Sequence, residues 1–165
     1  MNRTTARYAL ILLLLATFML ASCRGGRPSQ IGQAAPDFTV KDSERSVTLS
    51  QFRGKTVLLN FWATWCPPCV EEMPSMVQLQ QQLGEDVVIL AVSADVDEDA
   101  YKKFTATRTR GLLTVNDKEN KANALYNSYQ FPETYVIDKN GVVVRKFIGP
   151  QNWMAPEIID YLKKL

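Results

Sequence analysis

One stretch constrains the fold more than any other, because an apolar run ends in two cysteines that are separated by two prolines. Residues 56–63 are rich in Val, Leu, Phe and Trp without alternation, which is typical of a central strand buried on both faces. Proline is favoured in the first turn of a helix, where the backbone N–H has no helical partner. The sequence therefore predicts a buried strand, a tight junction and a helix that begins at Pro67.

Cys66 and Cys69 lie at this predicted junction, one helical turn apart. A free cysteine thiol has a pKa of about 8.5, and only its thiolate is a good nucleophile. The positive end of the helix dipole and the unpaired N–H groups favour the thiolate at Cys66. We therefore expect Cys66 to attack the disulfide of a partner, and Cys69 to release the reduced partner by attacking the Cys66 sulfur. The reverse sequence would oxidise a partner.

Structural roles compete with a redox role for this cysteine pair. A zinc site needs four ligands, and the chain has no histidine and only one further cysteine, Cys23. The pair could also be two buried structural cysteines or a permanently closed disulfide. In a redox site we expect Trp62 to pack inside and Trp65 to shield the sulfur of Cys66, although both could be plain core. No metal or other cofactor is expected.

The rest of the chain alternates short strands with amphipathic helices, which predicts a single α/β domain with a mixed sheet and helices on both faces. An N-terminal β-hairpin is expected over residues 39–49. A second hairpin is expected over residues 134–147, where Asn140-Gly141 is a strong turn signal. Two further strands are predicted at 87–92 and 112–115. Helices are predicted at 67–83, 97–107, 118–126 and 153–165.

The first 22 residues have the layout of a secretory signal, with basic residues at the start and then an apolar run. That run is too short for a transmembrane helix, which needs about 20 apolar residues. It ends in Leu20-Ala21-Ser22-Cys23, which resembles the box of bacterial lipoproteins, so we expect a lipid on Cys23. An ordinary cleaved signal and an uncleaved anchor helix are the alternatives.

A Gly/Pro-rich, polar segment follows the leader, and it predicts a flexible tether over residues 23–33 ahead of a domain over 34–165. Arg3 and Arg7 are the only basic residues of the leader. Because the chain has 19 basic and 17 acidic residues, the part after the leader is balanced in charge. It contains no basic block, so nucleic-acid binding is not expected. The lack of histidine excludes catalysis by that side chain.

The stretch Phe61-Trp62-Ala63-Thr64-Trp65-Cys66-Pro67-Pro68-Cys69 resembles the active site of the thioredoxin superfamily. Within it, the chain is similar to the membrane-tethered TlpA/ResA-like branch, from residue 31 to residue 165. Residues 35–38 resemble the opening strand of that branch, and residues 50–55 resemble the turn before its first central strand. Pro74 falls where the family kinks its active-site helix. The resemblance implies a thioredoxin-like fold and a thiol–disulfide oxidoreductase.

The resemblance also implies further site residues. Pro132 matches the cis-proline that faces the dithiol in thioredoxin-like proteins, where the residue before it, here Phe131, presents its backbone to a partner chain. Many thioredoxins have a buried Asp where this chain has Asn60. Glu133 is then the first candidate for the proton shuttle, and Asp95 is the second. The alternative is that both acids are solvent-exposed loop residues.

We expect an enzyme on the periplasmic face of a membrane that mainly reduces disulfides of exported proteins. In the resembled branch this activity often serves cytochrome c maturation, and a membrane-bound thiol donor re-reduces the protein. A monomer is expected. A thiol peroxidase is one alternative, although Ala63 stands where the peroxidase loop has a Thr. A copper metallochaperone is another, although its CxxxC pair and histidine are missing.

Overall fold

A five-stranded sheet forms the centre of the computed structural model, which describes residues 30–165. The predicted signal over residues 1–22, Cys23 and the tether up to residue 29 lie outside the described residues. The sheet strands are β3 (Thr56–Trp62), β4 (Val87–Ser93), β5 (Leu113–Asn116), β6 (Glu133–Ile137) and β7 (Val143–Ile148). A separate antiparallel pair precedes them, β1 (Thr39–Lys41) and β2 (Ser46–Thr48). The helices are α1 (Pro67–Leu83), α2 (Glu98–Arg108), α3 (Lys121–Leu125) and α4 (Pro156–Leu162).

Strand β3 lies in the middle of the sheet, whose order is β5-β4-β3-β6-β7. It runs parallel to β4 and antiparallel to β6, which confirms the predicted mixed sheet. All seven residues of β3 are buried, which explains why the stretch shows no alternation. One face of the sheet packs against α1, α2 and α4, and the other packs against the N-terminal hairpin and α3. The carboxyl end of β3 thus leads straight into the site.

Two helices begin three residues later than predicted. The last helix begins at Pro156 instead of residue 153, because a proline suits the first turn and the preceding Ala155 is extended. Trp153 is fully buried in the loop before it. Helix α3 is confined to Lys121–Leu125, because Asn120 before it has a left-handed backbone with φ 54°. These differences shorten the helices and leave the predicted fold class unchanged.

The segment before β1 is already in contact with the domain. The Gly32 N–H donates to the Val143 carbonyl at 2.7 Å, and the Val143 N–H donates to the Gln33 carbonyl at 2.9 Å. The predicted boundary between tether and domain, after residue 33, therefore falls inside a segment that pairs with β7. Among residues 30–165, no helix combines the length and the apolar character that crossing a membrane requires.

Candidate redox-active site

Cys66 and Cys69 are joined by a disulfide at the start of α1. Cys66 is the residue before the first turn, and its sulfur accepts a hydrogen bond from the Cys69 N–H at 3.3 Å. Helix α1 begins at Pro67, as the sequence predicts. Cys66 is 6% exposed and Cys69 is fully buried. Cys66 is therefore the more accessible of the two cysteines, which agrees with the predicted order of attack.

Pro132 lies at the same edge of the sheet as the dithiol. The Phe131–Pro132 peptide bond is cis, which confirms the prediction. Strand β6 begins at the next residue and runs antiparallel to β3, with Glu133 paired to Phe61 near the carboxyl end of β3. The fold thus brings the cis-proline to the end of the strand that carries the cysteines.

The two tryptophans beside the dithiol have different environments. Trp62 is fully buried and packs against Tyr101 and Phe104, which confirms that it belongs to the core. Trp65 is 64% exposed, and its ring lies 6.0 Å from that of Phe131. Trp65 therefore joins the active-site turn to the residue before the cis-proline. That it shields the Cys66 sulfur stays a prediction.

Glu72 is a candidate functional residue that the sequence reasoning missed. It lies on α1, three residues after Cys69, and is only 3% exposed. Its Oε1 accepts a hydrogen bond from Asn60 Nδ2 at 3.0 Å. Its Oε2 accepts one from the Gln151 N–H and one from Trp153 Nε1, both at 3.1 Å. Desolvation by burial outweighs these hydrogen bonds and raises the pKa of Glu72 to about 7.

The helical spacing of α1 indicates that Glu72 is buried. Cys69, Met73, Met76 and Leu79 form the buried stripe of α1, and Glu72 falls on the same stripe. Glu71, its neighbour in sequence, is exposed. A Glu-Glu pair in the first turns of a helix is usually a solvated charge cluster, which conceals this difference from the sequence.

Asn60 links α1 to the sheet. It is fully buried, and its Nδ2 donates to both Glu72 Oε1 and Thr134 Oγ1, the latter at 2.9 Å. Its Oδ1 is buried without a hydrogen-bond partner among the described residues. Because Asn60 does not titrate, Glu72 is the ionisable member of this contact.

Glu133 faces the opposite side of the sheet from Asn60 and Glu72, because it pairs with Phe61, the next residue along β3. Its Oε2 lies 2.8 Å from Lys146 Nζ, and its Oε1 accepts a hydrogen bond from the N–H of Gln130. It is 3% exposed, so the interpretation of Glu133 as a solvent-exposed acid is wrong. The contacts of its carboxylate do not include either cysteine, and its role as proton shuttle stays a prediction.

Asp95 lies just after the end of β4 and is 1% exposed, so it is not a solvent-exposed acid either. Its Oδ1 accepts a hydrogen bond from the Thr64 hydroxyl at 2.6 Å, and its Oδ2 accepts one from the Thr64 N–H at 3.0 Å. The Ser93 hydroxyl also donates to Oδ2. Asp95 thus fixes the turn that leads from β3 to Cys66.

A disulfide at the start of a helix, opposite a cis-proline on a mixed sheet, defines a thioredoxin-like redox protein. The model of the AhpC/TSA family matches residues 31–146, so the chain belongs to that family. It is 36% identical over 170 residues to a thiol-disulfide oxidoreductase ResA of Bacillus cereus, a match that covers 99% of this chain and 97% of the relative.

Solved structures agree with this assignment. The thioredoxin domain of a thiol-disulfide oxidoreductase from Bacteroides vulgatus superposes with a TM-score of 0.70 at 26% identity, covering 81% of this chain and 96% of that one. The exposed lipoprotein thioredoxin of Streptococcus pneumoniae superposes with a TM-score of 0.68 at 27% identity, covering 79% and 100%. The fold, the cysteine pair and the full-length relative together show that the chain is a thiol-disulfide oxidoreductase, as the sequence predicts.

Proposed function

We propose that this oxidoreductase works outside the cytoplasm as a reductant of disulfides in exported proteins. The observation that carries the proposed proton transfer is the buried Glu72 carboxyl one turn behind Cys69, with its pKa raised to about 7. The resemblance to the TlpA/ResA-like branch supports the direction of the reaction. A reductant must deprotonate its buried second thiol while a partner is attached to the first. A carboxyl with that pKa accepts a proton near neutral pH and returns it to solvent afterwards.

The reaction starts from the dithiol form. The thiolate of Cys66 attacks one sulfur of the partner's disulfide, and the other partner sulfur leaves as a thiolate that takes up a proton. Glu72 then accepts the proton of the Cys69 thiol, and the Cys69 thiolate attacks the Cys66 sulfur. The second partner thiol is released and the Cys66–Cys69 disulfide forms. Each partner sulfur leaves as a thiolate and takes up one proton. The enzyme therefore gives the partner two electrons, while one proton comes from Cys69 through Glu72 and the other comes from solvent.

The leader supports a location at a membrane surface. A signal over residues 1–22 would direct export, and a lipid on Cys23 would hold the domain through the residues that follow Cys23. The similarity to the exposed lipoprotein thioredoxin of Streptococcus pneumoniae supports the same arrangement. An oxidising compartment requires a supply of electrons, so a membrane-bound thiol donor would re-reduce the enzyme.

The substrate class is an accessible disulfide in an unfolded or extended exported chain. The haem-binding CxxCH segment of an apocytochrome c belongs to this class, and the similarity to ResA supports it. The exposed Trp65 and the half-buried Phe131 offer an apolar surface for such a chain beside Cys66.

Trapping tests the proposal. The Cys69→Ser variant should hold its partners on Cys66 as mixed disulfides in the cells that make the protein, and mass spectrometry would identify them. If only apocytochromes are trapped, the enzyme serves a dedicated pathway. If many exported proteins are trapped, it is a general reductant.

Insulin reduction that survives Cys66→Ser would overturn the proposed chemistry. The Cys23→Ser variant is the matched control, because it should leave the membrane fraction and keep the dithiol activity.

A further inference from the structure

Asp95 is a buried carboxylate that no cation neutralises within the described part of the chain. It is 1% exposed, and none of the ion pairs within residues 30–165 includes it. Another buried acid near this edge of the sheet, Glu133, is paired with Lys146. A buried carboxylate without a cation lowers the stability of the folded state unless hydrogen-bond donors surround it. We therefore asked which groups surround Asp95 and what its charge does.

The groups around the Asp95 carboxylate act as donors. The Thr64 and Ser93 hydroxyls each donate at 2.6 Å, and the Thr64 N–H donates at 3.0 Å. Hydroxyl-to-oxygen distances of about 2.5 to 2.7 Å are typical of hydrogen bonds to an ionised carboxylate. Three hydrogen-bond donors thus stabilise the negative charge of Asp95, and no counter-ion lies beside it among residues 30–165.

This charge lies directly behind the active-site turn. Thr64 is two residues before Cys66, and the Cys66 N–H donates to the Ala63 carbonyl at 3.2 Å, which closes the turn. The Ala94 N–H donates to the Trp62 carbonyl at 2.9 Å and joins the end of β4 to the start of the same turn. Asp95 therefore fixes the backbone that presents the nucleophile, and its carboxylate is hydrogen-bonded to Thr64, two residues before Cys66.

We propose that Asp95 is a positioning residue that holds the Thr64 turn and, by its buried negative charge, makes the Cys66–Cys69 couple more reducing. Reduction of the disulfide creates a thiolate at Cys66, and a neighbouring carboxylate disfavours that second negative charge. A less stable reduced form is a stronger reductant. The inference rests on the proposed function as a reductant and names a residue that lowers the reduction potential of its disulfide.

The ionisable groups on the elements around Cys66 are few. Helix α1 carries Cys69 and Glu72 on its buried stripe, and β6 begins with Glu133, which Lys146 neutralises. Helix α2 begins after Asp97, an exposed residue whose carboxylate caps it by accepting hydrogen bonds from the first backbone N–H groups. Asp97→Asn is therefore a matched control for the loss of one acidic charge two residues away.

Equilibration with reduced and oxidised glutathione tests the inference. Two glutathione thiols reduce the enzyme disulfide and form one glutathione disulfide, so the equilibrium constant gives the potential without any protein substrate. In Asp95→Asn we expect the reduced form to be favoured about tenfold more than in the wild type, which is about 30 mV for a two-electron couple. The Cys66 thiolate should also form at a lower pH, as read from the pH dependence of its alkylation.

Three further variants separate the charge from a merely structural effect. Asp97→Asn and the charge-conserving Asp95→Glu should both stay within about threefold of the wild-type equilibrium constant. Thr64→Val removes the hydroxyl donor and keeps the charge, so it should not favour the reduced form. If Asp95→Asn does not fold, Asp95→Ser should show the same shift.

An unchanged potential in the neutral Asp95 variants, or the same shift in Thr64→Val, would overturn the inference. A failure of the wild type to reduce insulin would instead overturn the proposed function, because the glutathione equilibrium does not depend on it.

Discussion

Glu72 and Glu133 are two glutamates with the same burial and different environments. Each is 3% exposed, and they lie on opposite faces of the central sheet. Glu72 is surrounded by neutral donors from Asn60, Gln151 and Trp153, so desolvation dominates and raises its pKa to about 7. Glu133 has the ammonium of Lys146 at 2.8 Å. The two buried carboxyls therefore differ in the charge of their partners, which are neutral donors for Glu72 and an ammonium for Glu133.

Replacing Glu72 should give the largest effect. Glu72→Gln keeps the size of the side chain but cannot accept the proton of Cys69, so we expect insulin reduction at pH 7 to slow by about 100-fold. The dependence of the rate on pH near 7 should disappear as well. The matched control is Glu71→Gln on the exposed side of α1, which should retain the wild-type rate.

The stability of the oxidised protein should depend on pH through Glu72. Its folded pKa, about 7, lies above the ordinary value of 4.5, so the folded state holds a proton that the unfolded state has lost. Its contribution to stability is therefore fully present below pH 4.5 and lost as the pH rises to 7, with an upper bound of about 3 kcal/mol. Urea unfolding of the wild type and of Glu72→Gln at several pH values across this range would measure this contribution. If the free energies of unfolding of the two proteins changed with pH in the same way, the prediction would be contradicted.

Breaking the Glu133 pair should affect stability instead. Lys146→Met leaves a buried carboxylate without its cation, and because Lys146 is about a quarter exposed we expect a loss of about 2 kcal/mol in the free energy of unfolding. Adding Glu133→Gln should recover part of this loss. Lys121→Met removes the cation of the exposed pair with Glu119 and should change stability little. A loss of insulin reduction in folded Lys146→Met would support the prediction of Glu133 as the proton shuttle.

The smallest effect is expected at Thr134. Thr134→Val removes one of the two acceptors of Asn60 Nδ2 and leaves the bond to Glu72, so unfolding should become easier by about 1 kcal/mol. Thr39→Val removes a hydroxyl contact with Thr48 on the exposed hairpin and should cost less. Equal losses in the two variants, measured by chemical denaturation, would argue against a special role of the buried contact.

Local patterns predicted the elements that position the dithiol. The uninterrupted apolar run indicated β3, the prolines indicated the start of α1, and resemblance indicated the cis peptide at Pro132. The acids were harder, because the environment of a carboxyl depends on residues that are distant in sequence. Glu72 accepts hydrogen bonds from Gln151 and Trp153, which lie in the loop before α4. The sequence had placed Trp153 in the helix itself.

The sequence also placed Glu133 beside Pro132 without showing which face of β6 it occupies. That face follows from the pairing of Glu133 with Phe61 in β3, and the partner Lys146 comes from β7. Asp95 was identified as an acid at a strand end, but its donors Thr64 and Ser93 belong to two different strand ends. Pairing register and side-chain networks of this kind have no local signature.

The most direct measurement is the titration of the Glu72 side-chain carboxyl by carbon-detected NMR, in the oxidised and in the reduced protein. Comparison of wild type with Glu72→Gln would assign the signal. The account predicts a pKa of Glu72 near 7 in the oxidised form and a further change when Cys69 becomes a thiol. A pKa near 4.5 in both redox states would contradict it, because Glu72 could not then accept the proton of Cys69.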